Sequence, residues 1–404
     1  MTTPPVESAE SSSDPGEDQT LPHADFHGGR VVIISAAHGV HDTYTAFLPS
    51  LLPVFIRGLA LSKTQAGLLT VFLQAPSLLQ PFIGHLADRI SLRYLVILAP
   101  AMTAAMMSLL GAAPRYGVLA LLLVLAGVSS AALHSVGPVM AGRLSGRSLG
   151  RGMGFWMVGG ELGRTLGPIV VVSALQILTP TETPWLMVGG LLMSMLLFVL
   201  LRDVAGRPPN VAEALPWGEA LSRLRPLLAP LIGIVIARSF MVSALTTYLP
   251  TFLSEEGAGL FFAGASLSVL EGAGVVGALV GGTLSDRLGR RAVLFSSLLS
   301  TPLLMFAFLA ADGWLHVPLL LLLGLSALSV GPVIMAVAQE SLPENRALAN
   351  GIYMALSFVL RSGVIVVIGA VGDWLGLRPA FALSAAAALL GVPLILLLPP
   401  KPTT

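Results

Sequence analysis

Twelve apolar stretches, each long enough to cross the hydrocarbon core of a lipid bilayer, account for most of this 404-residue chain. An α-helix rises 1.5 Å per residue, so about 20 apolar residues span that core. The stretches cover residues 31–56, 64–86, 94–113, 116–142, 152–178, 183–201, 226–253, 259–284, 292–311, 314–338, 348–372 and 377–398. We therefore predict an all-α membrane protein with twelve transmembrane helices, numbered here in chain order, and we expect no enzymatic activity.

Charge and cysteine content exclude several classes of function. Charged residues make up 11% of the chain and its net charge is +1, so a nucleic acid would find no basic surface to bind. The absence of cysteine excludes disulfides and thiolate metal sites. The phosphate-binding loop of ATP-dependent proteins ends in a glycine followed by a lysine. Neither lysine of this chain, Lys63 or Lys401, follows a glycine, so the sequence lacks this loop. We expect no cofactor, and an ion gradient is the favoured energy source.

Polar segments lie at the start and near the middle of the chain. Residues 1–29 are rich in Ser, Pro and Gly and carry six carboxylates, which predicts a disordered cytoplasmic tail. Residues 202–225 are predicted to form a cytoplasmic linker with an interfacial helix after Trp217. This linker separates a six-helix bundle over residues 30–201 from a second over residues 226–399.

The distribution of arginine predicts the orientation in the membrane. The loops joining helices 2–3, 4–5, 8–9 and 10–11, together with the linker, hold thirteen arginines, whereas the opposite loops hold four basic residues. Loops rich in Lys and Arg stay in the cytoplasm. We predict a monomeric, multi-pass protein of a bacterial-type inner membrane, with both termini in the cytoplasm.

The two halves of the chain repeat each other. Residues 84–89, 45–49, 135–139 and 154–157 recur in the same order as residues 282–287, 246–250, 329–333 and 351–354, at offsets of 194 to 201. Four matches on corresponding helices indicate an internal duplication. In folds built this way the substrate binds between the two halves, near the middle of the membrane.

A loop signature after helix 2, repeated after helix 8, resembles that of the major facilitator superfamily. Its residues are Gly84, Asp88, Arg89 and Arg93 in the first copy and Gly282, Asp286, Arg287, Gly289, Arg290 and Arg291 in the second. The resemblance covers residues 30–400 and implies the major facilitator fold, with two pseudo-symmetric six-helix bundles. The carboxylate of each copy is expected to pair with neighbouring arginines, and the cluster to act as a topology anchor, a cytoplasmic gate, or both.

Helix 5 carries a second pattern that is similar to a motif of the antiporters in this superfamily. The motif residues are Gly163, Gly167 and Pro168. Small residues allow two helices to approach closely, and proline removes a backbone hydrogen bond and permits a bend.

Within the superfamily the chain resembles the fosmidomycin-resistance-type efflux proteins. This likeness is carried by residues 38–42 in helix 1, residues 78–81 in helix 2, His134 in helix 4 and residues 158–168 in helix 5. The resemblance implies efflux of a drug-like solute. The chain departs from the family at Glu161 and other positions where a ligand would bind, so the resemblance says little about the substrate.

Six charged side chains fall well inside the predicted helices. They are Asp42, Glu161, Arg164, Arg238, Glu271 and Arg361. Each costs about 2.5–3.5 kcal/mol at the centre of a bilayer if it has no partner. Three acids and three arginines sum to zero, so we expect them to face each other or a water-filled cavity, either as static pairs or as a working site.

The pattern of these charges suggests roles. Arg164 and Arg361 correspond under the internal repeat, and two facing arginines would bind an anionic group. We expect Asp42 to carry a proton, with His38 and His41 as relays and Glu271 as the second acid candidate. His38, His41 and Asp42 could instead bind a divalent metal or simply form a satisfied polar cluster.

The sequence as a whole predicts a secondary transporter that exchanges protons for a small organic or drug-like solute by alternating access, and the arginines favour a solute with an anionic group. Its expected partners are that solute, protons and the lipid bilayer. Two alternatives remain open. One is proton-coupled import of an organic anion or a divalent metal. The other is a membrane receptor or assembly protein that transports nothing.

Overall fold

The computed structural model describes residues 26–80, 82–83, 92–146, 148–201, 217–341 and 346–398, and within these ranges the chain is almost entirely helical and has no β-strand. The spanning helices are 1 (Gly28–Thr45 and Phe47–Gly58), 2 (Lys63–Gln74, followed by the 3-10 turn Ala75–Leu79), 3 (Arg93–Ser108), 4 (Tyr116–Leu144), 5 (Leu149–Ala174), 6 (Val188–Leu201, after the 3-10 segment Pro180–Met187), 7 (Trp217–Ser243 and Leu249–Glu255), 8 (Leu260–Leu288), 9 (Arg290–Ala310), 10 (His316–Glu340), 11 (Arg346–Leu375) and 12 (Leu377–Leu389). Among the described residues, nine helical stretches are long and apolar enough to cross a membrane by length and composition. The predicted fold class, an all-α membrane protein of two six-helix bundles, is confirmed.

Helices 1 and 7 are interrupted at equivalent places, for the same reason. Pro49 and Pro250 cannot donate the backbone hydrogen bond that would reach Thr45 and Thr246 one turn earlier. Helix 1 breaks at Ala46, and helix 7 widens into a π-turn over Ala244–Tyr248. The repeated segments that run from Thr45 to Pro49 and from Thr246 to Pro250 therefore coincide with a helix irregularity in each bundle.

Each bundle has its own apolar core, and the two bundles touch mainly at one face. In the C-terminal bundle, helices 7–12, the core centres on Tyr248, Phe308 and Phe381, which are fully buried. Between bundles, the backbone N–H of Ile169 in helix 5 donates to Ser268 Oγ in helix 8 at 3.1 Å. The face at which the two bundles touch carries the loops between helices 1 and 2 and between helices 7 and 8, and we call it the outer face.

Hydrogen bonds and an ion pair hold the bundles together at the outer face. The Asp373 carboxylate at the end of helix 11 accepts from the backbone N–H groups of Lys63, at 2.6 Å, and Thr64, at 3.0 Å. It thereby caps the first turn of helix 2, where a helix end favours negative charge. Lys63 Nζ also lies 3.0 Å from Glu255 Oε1 of helix 7. The outer face is closed in this structure.

Two predicted segments fall partly outside the described residues. The acidic tail lies there except for its last few residues, and so does most of the linker. The stretch from Trp217 to Arg225, predicted as an interfacial helix, is the first part of the continuous helix Trp217–Ser243. The domain boundaries stay predictions.

Candidate functional site

Helices 1 and 5 approach so closely that only glycine fits between them. A Cβ atom at Gly159, Gly163 or Gly167 would overlap a backbone carbonyl oxygen of helix 1. The side of helix 1 that carries Asp42 therefore lies directly against helix 5, with the Asp42 Cβ beside Gly163. The glycines of the predicted antiporter motif position this acid.

Asp42 lies among three histidines, and we call these four residues the histidine–aspartate cluster. Its carboxylate oxygens lie 3.4 Å from His38 Nε2, 3.7 Å from His134 Nε2 and 3.9 Å from His41 Nε2. Asp42 is only 4% exposed and His41 has no accessible surface, whereas the His134 side chain keeps 32% of its surface accessible. All four residues belong to the N-terminal bundle, helices 1–6.

Backbone groups fix the orientation of two of these imidazole rings. His38 Nδ1 lies 2.9 Å from the carbonyl oxygen of Trp156, and the Trp156 side chain stacks on the His38 ring at 3.9 Å between centroids. His134 Nδ1 lies 2.9 Å from the carbonyl oxygen of Ser130. The Nε2 atoms of the two rings consequently lie 3.2 Å apart, and both face the Asp42 carboxylate.

A second group of charges lies between the bundles, and we call it the central charge set. Its members are Glu161, Arg164, Arg238, Glu271 and Arg361. Glu161 and Arg164 form an ion pair one turn apart on helix 5. The Arg164 side chain nevertheless keeps 46% of its surface accessible, and its charged neighbours include Glu271 of the other bundle. A charge in the middle of a spanning helix is expected to face a partner or water, and Arg164 has both an ion-pair partner and accessible surface.

The C-terminal bundle contributes the remaining charges of this set. Arg361 Nη2 donates to Thr246 Oγ1 at 2.8 Å, at the π-turn of helix 7, and Arg361 counts Arg238, Glu271 and Arg164 among its charged neighbours. Within the described part of the chain, Glu271 has neither a hydrogen bond nor an ion pair shorter than 4 Å. The set therefore contains a half-buried acid without a direct partner beside guanidinium groups of both bundles.

The second copy of the loop signature forms an ion-pair network inside one bundle. Arg290 Nη1 lies 2.6 Å from Asp286 Oδ1, and Arg290 Nη2 lies 2.8 Å from Glu340 Oε1 of helix 10. Gly289 has φ = 91°, a conformation that favours glycine. Arg291 donates to the carbonyl oxygen of Leu398.

The remaining signature residues carry less structural information. Arg287 and Gly282 lie at the end of helix 8, and Arg93 contacts Tyr94. Gly84, Asp88 and Arg89 lie outside the described residues. The gate and anchor interpretations both stay predictions.

Three residues that shape these sites did not stand out in the sequence. Trp156 fixes His38, Thr246 binds Arg361, and Asp373 joins the bundles. Trp156 and Thr246 both lie in segments of the internal repeat, which could have drawn attention to them. Asp373 gave no signal, because its partners, two backbone N–H groups and the Thr64 hydroxyl, lie about 310 residues away in the chain.

Comparison with known proteins agrees with this architecture, which is that of a membrane transporter. The sequence profile of the Major Facilitator Superfamily matches residues 34–364, and the chain belongs to this family. It is 24% identical over 371 residues to the fosmidomycin resistance protein of Escherichia coli (strain K12), covering 89% of this chain and 90% of that protein. It is 27% identical over 388 residues to the uncharacterized MFS-type transporter YfnC of Bacillus subtilis (strain 168), covering 91% and 92%.

Solved structures share the fold at low sequence identity. A bacterial homologue of the human lysosomal transporter Spinster, in an inward-facing and occupied conformation, superposes with a TM-score of 0.76 at 14% identity over 92% of this chain and 96% of that chain. The nucleoside transporter NupG superposes with a TM-score of 0.73 at 14% identity, covering 91% and 98%. These likenesses extend over nearly the whole length of each chain.

Proposed function

We propose that this protein exports a small organic solute in exchange for protons, and that the central charge set binds both. The observation that carries the proposal is Glu271, an acid with no direct partner among the described residues, whose charged neighbours Arg164 and Arg361 come from different bundles. A charge arrangement that spans the bundles must change when the bundles rock, so its affinity for protons and solute changes with conformation. Static pairing would not leave an acid in this position.

The proposed solute carries an acidic group and an N–H or O–H donor. Two guanidinium groups suit the acidic group, because arginine forms paired, charge-assisted hydrogen bonds with carboxylates, phosphates and phosphonates. The donor would bind the ionised carboxylate of Glu271. A proton on Glu271 removes the negative charge that strengthens this hydrogen bond and turns one carboxyl oxygen into a donor, so the proton and the solute compete for this group. Such competition at one group is what exchange requires.

Glu271 is a better-placed coupling acid than Asp42. Asp42 is 4% exposed and has three imidazoles within 4 Å in its own bundle, whereas Glu271 faces charges of the other bundle. Rocking of two rigid bundles leaves the surroundings of Asp42 almost unchanged. The expectation that Asp42 carries the proton stays a prediction, and Glu271 is the acid we assign to coupling.

Closure at the outer face supports alternating access. Asp373 and Glu255 of the C-terminal bundle bind the start of helix 2 in the N-terminal bundle, whereas at the opposite face the ion pairs of Arg290 among the described residues lie within its own bundle. With the predicted orientation, we assign this structure to the state that faces the cytoplasm. Efflux would begin by loading the solute in this state.

A second candidate is import of an organic anion together with protons. The central charge set contains three arginines and two acids, and this excess of positive charge favours binding of an anion. An anion without a hydrogen-bond donor would raise the proton affinity of Glu271, because its negative charge disfavours the ionised carboxylate. Proton and anion would then bind together. The two candidates differ in the direction of the pH gradient that drives accumulation of the solute.

Proteoliposomes test both candidates with radiolabelled fosmidomycin, a phosphonate with a hydroxyl donor, as the probe. An acidic lumen should drive its accumulation if the protein exchanges the solute for protons. An alkaline lumen should drive it if the two move together. Protein-free liposomes and a proton ionophore are the controls. Absence of gradient-driven accumulation of this probe, of phosphate esters and of carboxylates under either gradient would refute proton-coupled transport of such solutes.

A further inference from the structure

Three lone-pair donors converge in the histidine–aspartate cluster. A backbone carbonyl only accepts hydrogen bonds, so His38 Nδ1 and His134 Nδ1, each 2.9 Å from one, must carry their hydrogen atoms. In the neutral rings each Nε2 then presents a lone pair. These lone pairs lie 3.2 Å apart and face the Asp42 carboxylate. Such an arrangement repels itself unless a positive charge, either a proton on one of the rings or a metal ion, lies among the three groups.

The separations match those of metal ligands. The His38 Nε2–His134 Nε2, His38 Nε2–Asp42 Oδ2 and His134 Nε2–Asp42 Oδ1 distances are 3.2, 3.4 and 3.7 Å. A tetrahedral zinc site with bonds of about 2.0–2.1 Å has ligand atoms separated by about 3.3–3.4 Å. The carboxylate approaches His38 through Oδ2 and His134 through Oδ1, so the two nitrogens and this carboxylate lie at near-ligand separations around a common point.

The surroundings of the two rings are those of metal-binding histidines. Such histidines almost always donate their other ring N–H to a carbonyl or carboxylate, which fixes the tautomer and orientation. The Trp156 and Ser130 carbonyls do this here, and the Trp156 indole holds the His38 ring in place from one side. Two imidazoles and one carboxylate suit Zn²⁺ and similar transition metals, whereas Mg²⁺ and Ca²⁺ prefer oxygen ligands.

We propose that His38, Asp42 and His134 form a binding site for a divalent transition metal, with Zn²⁺ as the representative ion. The accessible surface of His134 leaves a path for the ion and for a water molecule as fourth ligand. The set differs from the one suggested by the sequence, because His134 of helix 4 replaces His41. All three ligands belong to one bundle, so rocking leaves the site intact and the ion stays bound through the cycle.

This inference goes beyond the proposed function, since metal binding requires neither solute nor a proton gradient. Calorimetry on purified protein without a histidine tag should give one Zn²⁺ per chain. His134→Ala and Asp42→Asn should each weaken binding at least 100-fold. His316→Ala removes a histidine of helix 10 that packs on Phe308, outside the cluster, and should leave binding unchanged. His41→Gln should also retain binding within a few-fold.

X-ray absorption at the zinc edge of the unmodified protein keeps the test independent of how the variants fold. Two imidazole nitrogens in the first coordination shell are expected. A shell with fewer than two imidazoles, no saturable Zn²⁺ binding, or equal loss in His316→Ala would overturn the proposed site. Each of these results would leave the proton-coupled transport proposal standing, and failed transport in proteoliposomes would leave the metal site standing.

Discussion

The histidine–aspartate cluster and the central charge set both place charged groups inside spanning helices, but they differ in which bundle supplies the groups. Helices 1 and 4 of one bundle supply the whole cluster, and its side chains contact each other directly. Both bundles supply the central set, and its acid Glu271 has no direct partner in the described part of the chain. A group held within one bundle keeps its surroundings during rocking. A group between bundles cannot, and this makes the central set the place for coupling.

Glu271→Gln should produce the largest effect on transport. The amide has nearly the shape of the acid but cannot release a proton, so we expect gradient-driven flux of the probe to fall to the level of protein-free liposomes. Exchange of labelled for unlabelled solute, which needs no proton, should persist. Glu182→Gln, a change in a carboxylate that caps Thr179 within the N-terminal bundle, is the matched control and should keep driven flux. Full driven flux in Glu271→Gln would remove this acid from coupling.

Loss of an arginine from the central charge set should weaken binding of anions. We expect Arg164→Ala or Arg361→Ala to reduce affinity for an anionic solute roughly 10–100-fold, because a hydrogen bond to a charged group contributes about 1.5–3 kcal/mol. A neutral analogue should lose much less. Binding isotherms for an acid and its methyl ester measure the difference. Equal losses for both ligands would indicate that these arginines only support the structure.

A side chain placed between helices 1 and 5 should disturb the packing that holds the histidine–aspartate cluster. Gly163→Ala brings a Cβ against the backbone of Gly39, so the helices must separate, at a cost of about 1–3 kcal/mol. Thermal unfolding in detergent should shift to lower temperature. Gly154→Ala, on the same helix with nothing within 4 Å of the added Cβ, is the control. Equal unfolding temperatures for the two variants would show that the close approach is not required.

The outer face should respond to Asp373→Asn by opening. The asparagine loses the charge that caps helix 2, and we expect the closed outer face to lose about 1–2 kcal/mol, near the cost of losing a capping residue, or roughly a tenfold change in population. Spin-label distances across the outer face measure it. Glu182→Gln changes a carboxylate that caps Thr179 within its own bundle and should leave these distances unchanged.

The smallest effect is expected at an exposed ion pair of the C-terminal bundle. The Arg378 guanidinium holds the pKa of Glu256 below its usual range. A lowered pKa in the folded state adds stability above the usual glutamate pKa, and this stability is lost as pH falls through the folded-state value. Because both side chains are well exposed, the contribution should stay below about 1 kcal/mol. Unfolding temperatures of Glu256→Gln, which leaves the other contacts of Arg378 in place, and wild type should differ at pH 7 and converge in acid.

Several features were predictable from sequence because they depend on local pattern. Hydropathy gave the spanning helices, and the Thr-to-Pro repeat lies where both helix interruptions occur. The i, i+3 spacing of Glu161 and Arg164 predicts their contact, which the structure contains. The pairing of Asp42 with His134, across 92 positions, was beyond the sequence because no periodicity relates helix 1 to helix 4.

By itself, the sequence determined that this chain must lie in a membrane, that it is a duplicated bundle, and that its interior charges need partners or water. These properties follow from the cost of charge in hydrocarbon, which depends on composition and not on contacts. Only the tertiary structure decided which charges share a bundle. Helix packing sets the distances between residues that are far apart in the chain. It brings two imidazoles to ligand distances from Asp42 and leaves Glu271 between the bundles.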